Sequence, residues 1–314
     1  ESSGLSARWI DPRRALATSE LFGAAMPMPA YEETVRRTIA PALVAGEIAV
    51  TGGFVGATTQ GITTTLGRGG SDYSAALFGA ALDAREIQIW TDVTGFLTAD
   101  PRVVAQARPI AHLSYAEAAE LAYFGARVLH PKTIQPAVER GIPVRVCNSR
   151  HPSEPGTLID DEPVVAPGGV KAIAHKPGVT ILQVSSARML GAYGFLRALF
   201  EIFDRHRTAV DVVSTSEVSV SLSLEDTHSL PDIIAELEGL GTVSVEPGRA
   251  IVCIVGEGLR STRGIAARVF GAIEDVDVAV ISQGASSINL TFLVPEADVH
   301  DVVAQLHRTF FDSP

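Results

Sequence analysis

The sequence predicts an α/β domain built on a parallel sheet, followed by two copies of a smaller βαββαβ unit. Three observations carry this. Between residues 5 and 147, short apolar runs alternate with glycine-rich loops and Ala- and Leu-rich helical stretches, the pattern of strand–helix–strand units. Residues 148–169 are dense in Pro, Gly, Ser, Asp and Glu, which marks a linker. Beyond it the sequence repeats itself: Val212-Val213-Ser214-Thr215-Ser216-Glu217 answers Val280-Ile281-Ser282-Gln283-Gly284-Ala285, and Val220-Ser221-Leu222 answers Ile288-Asn289-Leu290. The expected division is 1–150 for the first domain, 151–169 for the linker, and 170–248 and 249–314 for the two repeats.

In chain order, Leu5–Ile10 reads as a strand, and Tyr31–Ala45 as a helix that Gly46 stops. Ile48–Gly56 is a buried strand breaking into Gly52-Gly53. Thr63–Asp72 is a polar loop whose Ser71 and Asp72 are strong N-caps for the helix that follows. Glu86–Trp90 is a strand ending in Thr91-Asp92. Ser114 and Glu117 form a capping box, and Ile142–Cys147 is a last buried strand. The first repeat runs strand 179–184, helix 195–207, strands 210–213 and 218–224, helix 231–240 and strand 243–245. The second copy opens at 250–255 and stops after its second helix, so it lacks a fourth strand. An open edge is a liability, and Val170–Ala174 is the natural donor. This is the ferredoxin-like pattern.

Bulk properties narrow the function. The 314 residues carry a formal net charge of -11, which argues against nucleic acid and anionic membranes as partners. Cys147 and Cys253 show no metal-like spacing and read as buried reduced thiols. No apolar run approaches a membrane span. A cytoplasmic protein is expected, and the Glu1-Ser2-Ser3-Gly4 start suggests that something upstream has been removed.

Three polar loops fall at strand ends, where ligands of parallel sheets gather: Gly52-Gly53, Arg68–Asp72 and Thr91-Asp92. Free N–H groups at a helix start attract anions, and Arg68 can grip a carboxylate or phosphate bidentately. A plain glycine-rich connector remains the other reading, because neither G-x-G-x-x-G nor G-x-x-x-x-G-K-[ST] is present. His130, before Pro131, reads as a structural hydrogen-bonder. In the repeat, Gly191 and Gly194 precede a helix, while Asp211 and Glu217 flank a strand end. They suit a basic amino acid, or else serve a turn and a solvated rim.

Together these segments resemble the aspartate kinases. The residues concerned are Thr64–Asp72, Trp90-Thr91-Asp92-Val93 with Gly95, Asp100-Pro101-Arg102, and Phe124–Pro131. The regulatory half, with Val210-Asp211, Ser214–Val220 and Gly284–Ser287, looks like that family's paired ACT domains, in its monofunctional, lysine-inhibited branch. The resemblance implies an amino-acid-kinase αβα domain, incomplete here, that transfers the γ-phosphoryl of ATP, with Mg2+, to the β-carboxylate of L-aspartate. That step leads towards lysine, threonine and methionine. Arg68 would hold the substrate α-carboxylate and Asp72 its ammonium, with Gly69, Gly70 and Ser71 lining the pocket. Thr91, Asp92, Leu97, Arg102 and Arg127 would meet the nucleotide. L-lysine would bind at Met189, Ala192, Gly194, Phe195, Leu196, Ala209, Val210, Asp211, Ser216 and Glu217, where ACT domains associate between subunits in a dimer or tetramer.

Two departures stand out. The family's Lys-Phe-Gly-Gly-Thr segment, whose Lys neutralises the transferring phosphoryl, does not occur in these 314 residues, so this chain by itself is expected to be nearly inactive. Arg127 stands where the family commonly has Lys, a change of shape and hydration. The competing readings are a related amino-acid kinase acting on acetylglutamate, glutamate or UMP, and a non-catalytic amino-acid-sensing subunit or fragment.

Overall fold

The structure is a computed structural model that describes residues 4–126, 128–191 and 193–312. It divides into two compact units: 1–96 with 109–164, and 97–108 with 165–314. The division differs from the expected one in two ways. Residues 151–164 fold with the first unit, and the inner segment Leu97–Arg108 folds with the second.

In the first unit, strand Ala7–Ile10 pairs in parallel with Ile48–Thr51. Helix Tyr31–Val44 lies against them because Val35, Ile39 and Ala42 recur at helical spacing and pack with Ile10, Ala15 and Ala81. A second sheet runs in the order Ile87–Thr91, Val144–Asn148, Thr157–Asp160, His112–Ser114. Its outer pairs are parallel, but the central pair, Val144 opposite Ile159, is antiparallel, so the sheet is mixed rather than purely parallel. The strand responsible lies inside the stretch read as linker. Thr157 and Ile159 point inward at period two, and the Thr157 hydroxyl donates to Ile110 O (2.7 Å) while accepting from Phe96 N (2.9 Å). The capping box is present: Glu117 accepts from Ser114 N at 2.8 Å, and Ser114 Oγ from Glu117 N at 3.2 Å.

The second unit is one six-stranded antiparallel sheet in the order Val213–Thr215, Ser219–Leu224, Ala172–Ser185, Thr242–Val255, Asn289–Pro295, Val280–Gln283. The pieces expected as separate strands fuse. Residues 170–174 and 179–184 fall largely within one 14-residue strand, and 243–245 and 250–255 within another. Ala172–Lys176 pairs with Ile251–Val255, and Ile181–Ser185 with Thr242–Glu246. The repeats therefore share a sheet rather than each closing its own. Helices Phe195–Arg205 and Leu230–Leu237 bury Leu199, Ile202, Phe203, Ile233 and Leu237 on one half. Helices Ile265–Gly271 and Val299–His307 cover the other half, around Phe292, Val252 and Ile254. Ala99 and Val104, from Leu97–Arg108, sit in that same apolar cluster. Among the described residues no helix is long and apolar enough to cross a membrane.

Phe292 has no exposed surface and packs edge-on to Phe270, with ring centroids 5.4 Å apart. Its replacement by Ala should remove about 3–5 kcal/mol of stability, read as a lower urea midpoint with little change in slope.

Candidate active and effector sites

Strand Thr63–Thr65 pairs antiparallel with Val55–Ala57, which sets the loops at their ends side by side. Leu66 N donates to Phe54 O at 3.0 Å. The following helix is Gly70–Ala81, with Gly69 as its N-cap at φ 72° and no side-chain cap. Ser71 and Asp72 thus lie in the first turn and do not cap it. The left-handed turn at Gly69 starts the helix earlier than the side chains suggest. Ser74 Oγ supplies the local polar tie, donating to Gly70 O (2.7 Å) and accepting from Phe54 N (2.8 Å).

Close approach explains the glycines. A Cβ on Gly53 would lie 3.3 Å from Ser71 Cα, and one on Gly70 would lie 2.6 Å from Phe54 Cδ2. Arg68 is exposed and forms no ion pair among the described residues. Asp72, half-buried one helical turn on, has its carboxyl pushed above the ordinary range by burial. An exposed cation and a carboxylate with reduced hydration therefore flank one helix start.

Thr91 ends strand Ile87–Thr91, and its carbonyl accepts from Ser149 N and Ser149 Oγ, both at 2.8 Å. Its hydroxyl donates to Asp92 Oδ1 at 3.3 Å. The other expected nucleotide residues fall elsewhere: Leu97 and Arg102 belong to the second unit, and Arg127 lies outside the described residues. Arg102 is clasped by Asp100, with Nη2 2.6 Å from Oδ2 and Nε 3.0 Å from Oδ1. Those hydrogen bonds hold the Asp100 carboxyl below the usual carboxylate range.

Around the expected effector residues, Met189 closes a short turn. Gly194, at φ 82°, is the N-cap of helix Phe195–Arg205, whose first turn carries Phe195 and Leu196. Ala209, Val210 and Asp211 precede strand Val213–Thr215, and Ser216 and Glu217 follow it in the hairpin. Ala192 lies outside the described residues. Ser216 Oγ ties the hairpin, 2.7 Å from Ser219 Oγ and accepting from Ser219 N at 3.1 Å. Glu217 is exposed. Asp211 is not a solvated rim charge: its side chain is 5% exposed and lies 3.7 Å from Lys176 Nζ, which also meets Glu225 at 2.6 Å. Sequence reading missed Lys176, whose only signal was its place just beyond the donor stretch 170–174.

These two units define a class: an amino-acid-kinase domain joined to an ACT regulatory unit. The amino acid kinase family matches residues 1–148, and the ACT domain matches residues 252–310. The chain is 43% identical to lysine-sensitive aspartokinase 3 of Escherichia coli (strain K12), over 98% of this chain and 70% of that protein. The crystal structure of E. coli aspartokinase III with aspartate and ADP superposes with a TM-score of 0.81 at 42% identity, covering 98% of this chain and 71% of that one. The same enzyme's complex with lysine and aspartate gives 0.80 at 43% identity, with coverages of 98% and 70%. The chain belongs to the aspartokinase family.

Gly69 combines φ 72° with close packing, since a Cβ at this position would sit 2.6 Å from Thr133 Cγ2. Gly69→Ala should therefore cost about 1–3 kcal/mol, measured by chemical denaturation.

Proposed function

We propose that the chain carries the substrate-reading and effector-reading parts of an aspartokinase inhibited by L-lysine. The reaction moves the γ-phosphoryl of ATP to L-aspartate. A β-carboxylate oxygen forms the new P–O bond, the bond to the ADP oxygen breaks, and 4-phospho-L-aspartate and ADP result. The observation that carries this reading is the helix start at Gly69–Asp72. Exposed Arg68 and half-buried Asp72 present opposite charges there, suited to the α-carboxylate and α-ammonium of an amino acid. Gly70 N is taken by Gly67 O at 3.0 Å, and the amides of Ser71 and Asp72 add donors for the carboxylate. Because the acceptor is already an ionised nucleophile, the residues have to position and neutralise rather than activate it.

Thr91, Asp92, Leu97, Arg102 and Arg127 are assigned to the nucleotide, as in the resemblance. The donor set suits it: Arg102 is an exposed guanidinium suited to phosphate, and Thr91 and Asp92 offer polar groups at a strand end. Mg2+ belongs to this reading. It is held largely by phosphate oxygens and water in such sites, and among the described residues no cluster of three or more His, Cys, Asp or Glu side chains is placed to hold a metal alone. When bound, Mg2+ would screen phosphate charge, and Asp92 is the one carboxylate in the assigned set.

Met189, Ala192, Gly194–Leu196, Ala209–Asp211, Ser216 and Glu217 are assigned to L-lysine. Exposed Leu190, Tyr193 and Leu196 beside them support self-association of ACT units as a dimer or tetramer. Inhibition then follows if lysine binds an inactive arrangement more tightly than the active one. The cytoplasm is the location assigned, in keeping with the buried thiols of Cys147 and Cys253.

Two measurements on the full-length enzyme test these assignments. Ionised Asp72 offers the substrate ammonium a full negative charge that the protonated acid lacks, and burial raises its pKa. KM for aspartate should therefore climb as pH falls through that raised value, above the pH at which an ordinary carboxylate protonates. Asp72→Asn should raise KM about 10- to 100-fold and flatten this climb; identical pH profiles would overturn the role. Glu217→Ala should shift half-inhibition by lysine at least about tenfold, a typical coupling energy, with turnover preserved. Unchanged inhibition would remove Glu217 from the effector site.

A further inference from the structure

We propose that His307 is a positioning residue for the nucleotide, acting on the segment Leu97–Arg108 through the hydroxyl of Thr98. The inference rests on the assignment of Leu97 and Arg102 to the nucleotide made above.

Thr98 is buried, and every polar atom it has is engaged. Its N–H donates to Arg108 O at 2.9 Å, and its carbonyl accepts from Ile173 N at 2.8 Å, on the long strand Ala172–Ser185. Its Oγ1 accepts from Arg108 N at 2.9 Å and lies 2.9 Å from His307 Nε2. With Oγ1 already accepting a backbone N–H, the hydroxyl proton is free to go to Nε2. The imidazole hydrogen then sits on Nδ1.

The groups facing that ring agree with a neutral imidazole. His307 has no exposed surface, and burial pushes its pKa below the ordinary value. Phe311 stacks on it, with centroids 4.7 Å apart and planes at 34°. Asp312 Oδ2 is 4.0 Å from Nδ1, and the Asp312 carboxylate in turn meets Arg108 Nη2 at 3.3 Å. A neutral ring accepts one directional hydrogen bond and spends it on Thr98.

The connection from there to Arg102 is short. Thr98 and Ala99 lead into Asp100, whose Oδ1 accepts from Arg102 N at 2.9 Å while both carboxylate oxygens hold the guanidinium. Val103 N and Val104 N both return to Asp100 O, at 3.0 and 2.9 Å, so 100–104 is a closed turn. Ala99 and Val104 bury its apolar side with Val302, Val303 and Leu306 of the helix that ends at His307. Apolar packing is non-directional, and the bond from Ile173 N to Thr98 O ties the segment to the sheet on one side only. The Thr98–His307 bond adds a second direction, from the end of helix Val299–His307, and so bears on where Leu97 and Arg102 point.

The test uses four variants of the full-length enzyme, with ADP binding by calorimetry and steady-state kinetics in MgATP and aspartate. Thr98→Val and His307→Leu should each weaken ADP and raise KM for ATP about fivefold to twentyfold, the effect of stranding one or two hydrogen-bonding groups (Thr98→Val strands Arg108 N as well as His307 Nε2). kcat, KM for aspartate and half-inhibition by lysine should stay within about twofold. The double variant should be no worse than Thr98→Val, since that change already removes the bond His307→Leu removes, together with the acceptor for Arg108 N. His307→Gln, which can still accept from the hydroxyl, should restore most of the loss. Arg102→Ala serves as the control for the underlying assignment. If Arg102→Ala weakens ADP while folded Thr98→Val binds it normally, the positioning role is overturned and the nucleotide assignment stands. If Arg102→Ala also leaves ADP binding unchanged, the assignment itself fails. A parallel fall of kcat and both KM-linked affinities with the unfolding temperature would also overturn the inference, reducing His307 to a structural residue. Should His307→Leu not fold, Thr98→Val, which keeps shape and volume, still decides.

Discussion

The second unit depends on one pairing, the antiparallel ladder between two 14-residue strands, Ala172–Ser185 and Thr242–Val255. Each strand serves both repeats, so neither repeat has a complete sheet alone. The ladder shifts register between Glu246 and Ile251, opposite the turn of the partner strand that contains Gly178 at φ 76°. On one side of that irregularity the pair supports the loops assigned to lysine. On the other it supports Ile173, whose amide holds Thr98. The loops assigned to lysine and the segment assigned to the nucleotide therefore hang from the same pair of strands.

Much of this could be read from residues alone, because periodicity and punctuation are local. Helix Tyr31–Val44, the capping box at Ser114 and the strand ending at Thr91 lie within a residue or two of where spacing and turn chemistry put them. Departures come from a competing local turn in one case and from long-range pairing in the others. Ser71 and Asp72 looked like caps, but the left-handed turn at Gly69 begins the helix first. Strand Thr157–Asp160 was hidden in a Pro- and Gly-rich stretch, since only its pairing with Val144–Val146 and His112–Ser114 makes it a strand. The repeat revealed each copy's elements but not their fusion, because hydrogen bonds take no account of where one copy ends. At the sites, Arg68 and Asp72 were visible as charges next to a glycine loop. Thr98 and His307, 209 residues apart, were not.

The charged groups fall into two kinds by what they already touch. Arg68 and Glu217, both assigned to ligands in the proposal, are exposed. Arg102 is engaged by Asp100, but it is 77% exposed, and solvent and salt screen a pair like that. A phosphate can take over its fork with little loss. Asp211 and Lys176 differ, because both side chains are largely buried. Parting them would leave Asp211 a poorly hydrated charge while Lys176 keeps Glu225, so Lys176 helps hold Asp211 in the loop assigned to lysine.

The excursion of Leu97–Arg108 bears on how such a gene can be divided. Severing the polypeptide between residues 150 and 169 would separate the coding sequence of this segment from that of its apolar surroundings. Ala99 and Val104 would travel with one product, and Val302, Val303 and Leu306 with the other. Each half would expose apolar side chains that the intact chain buries against one another.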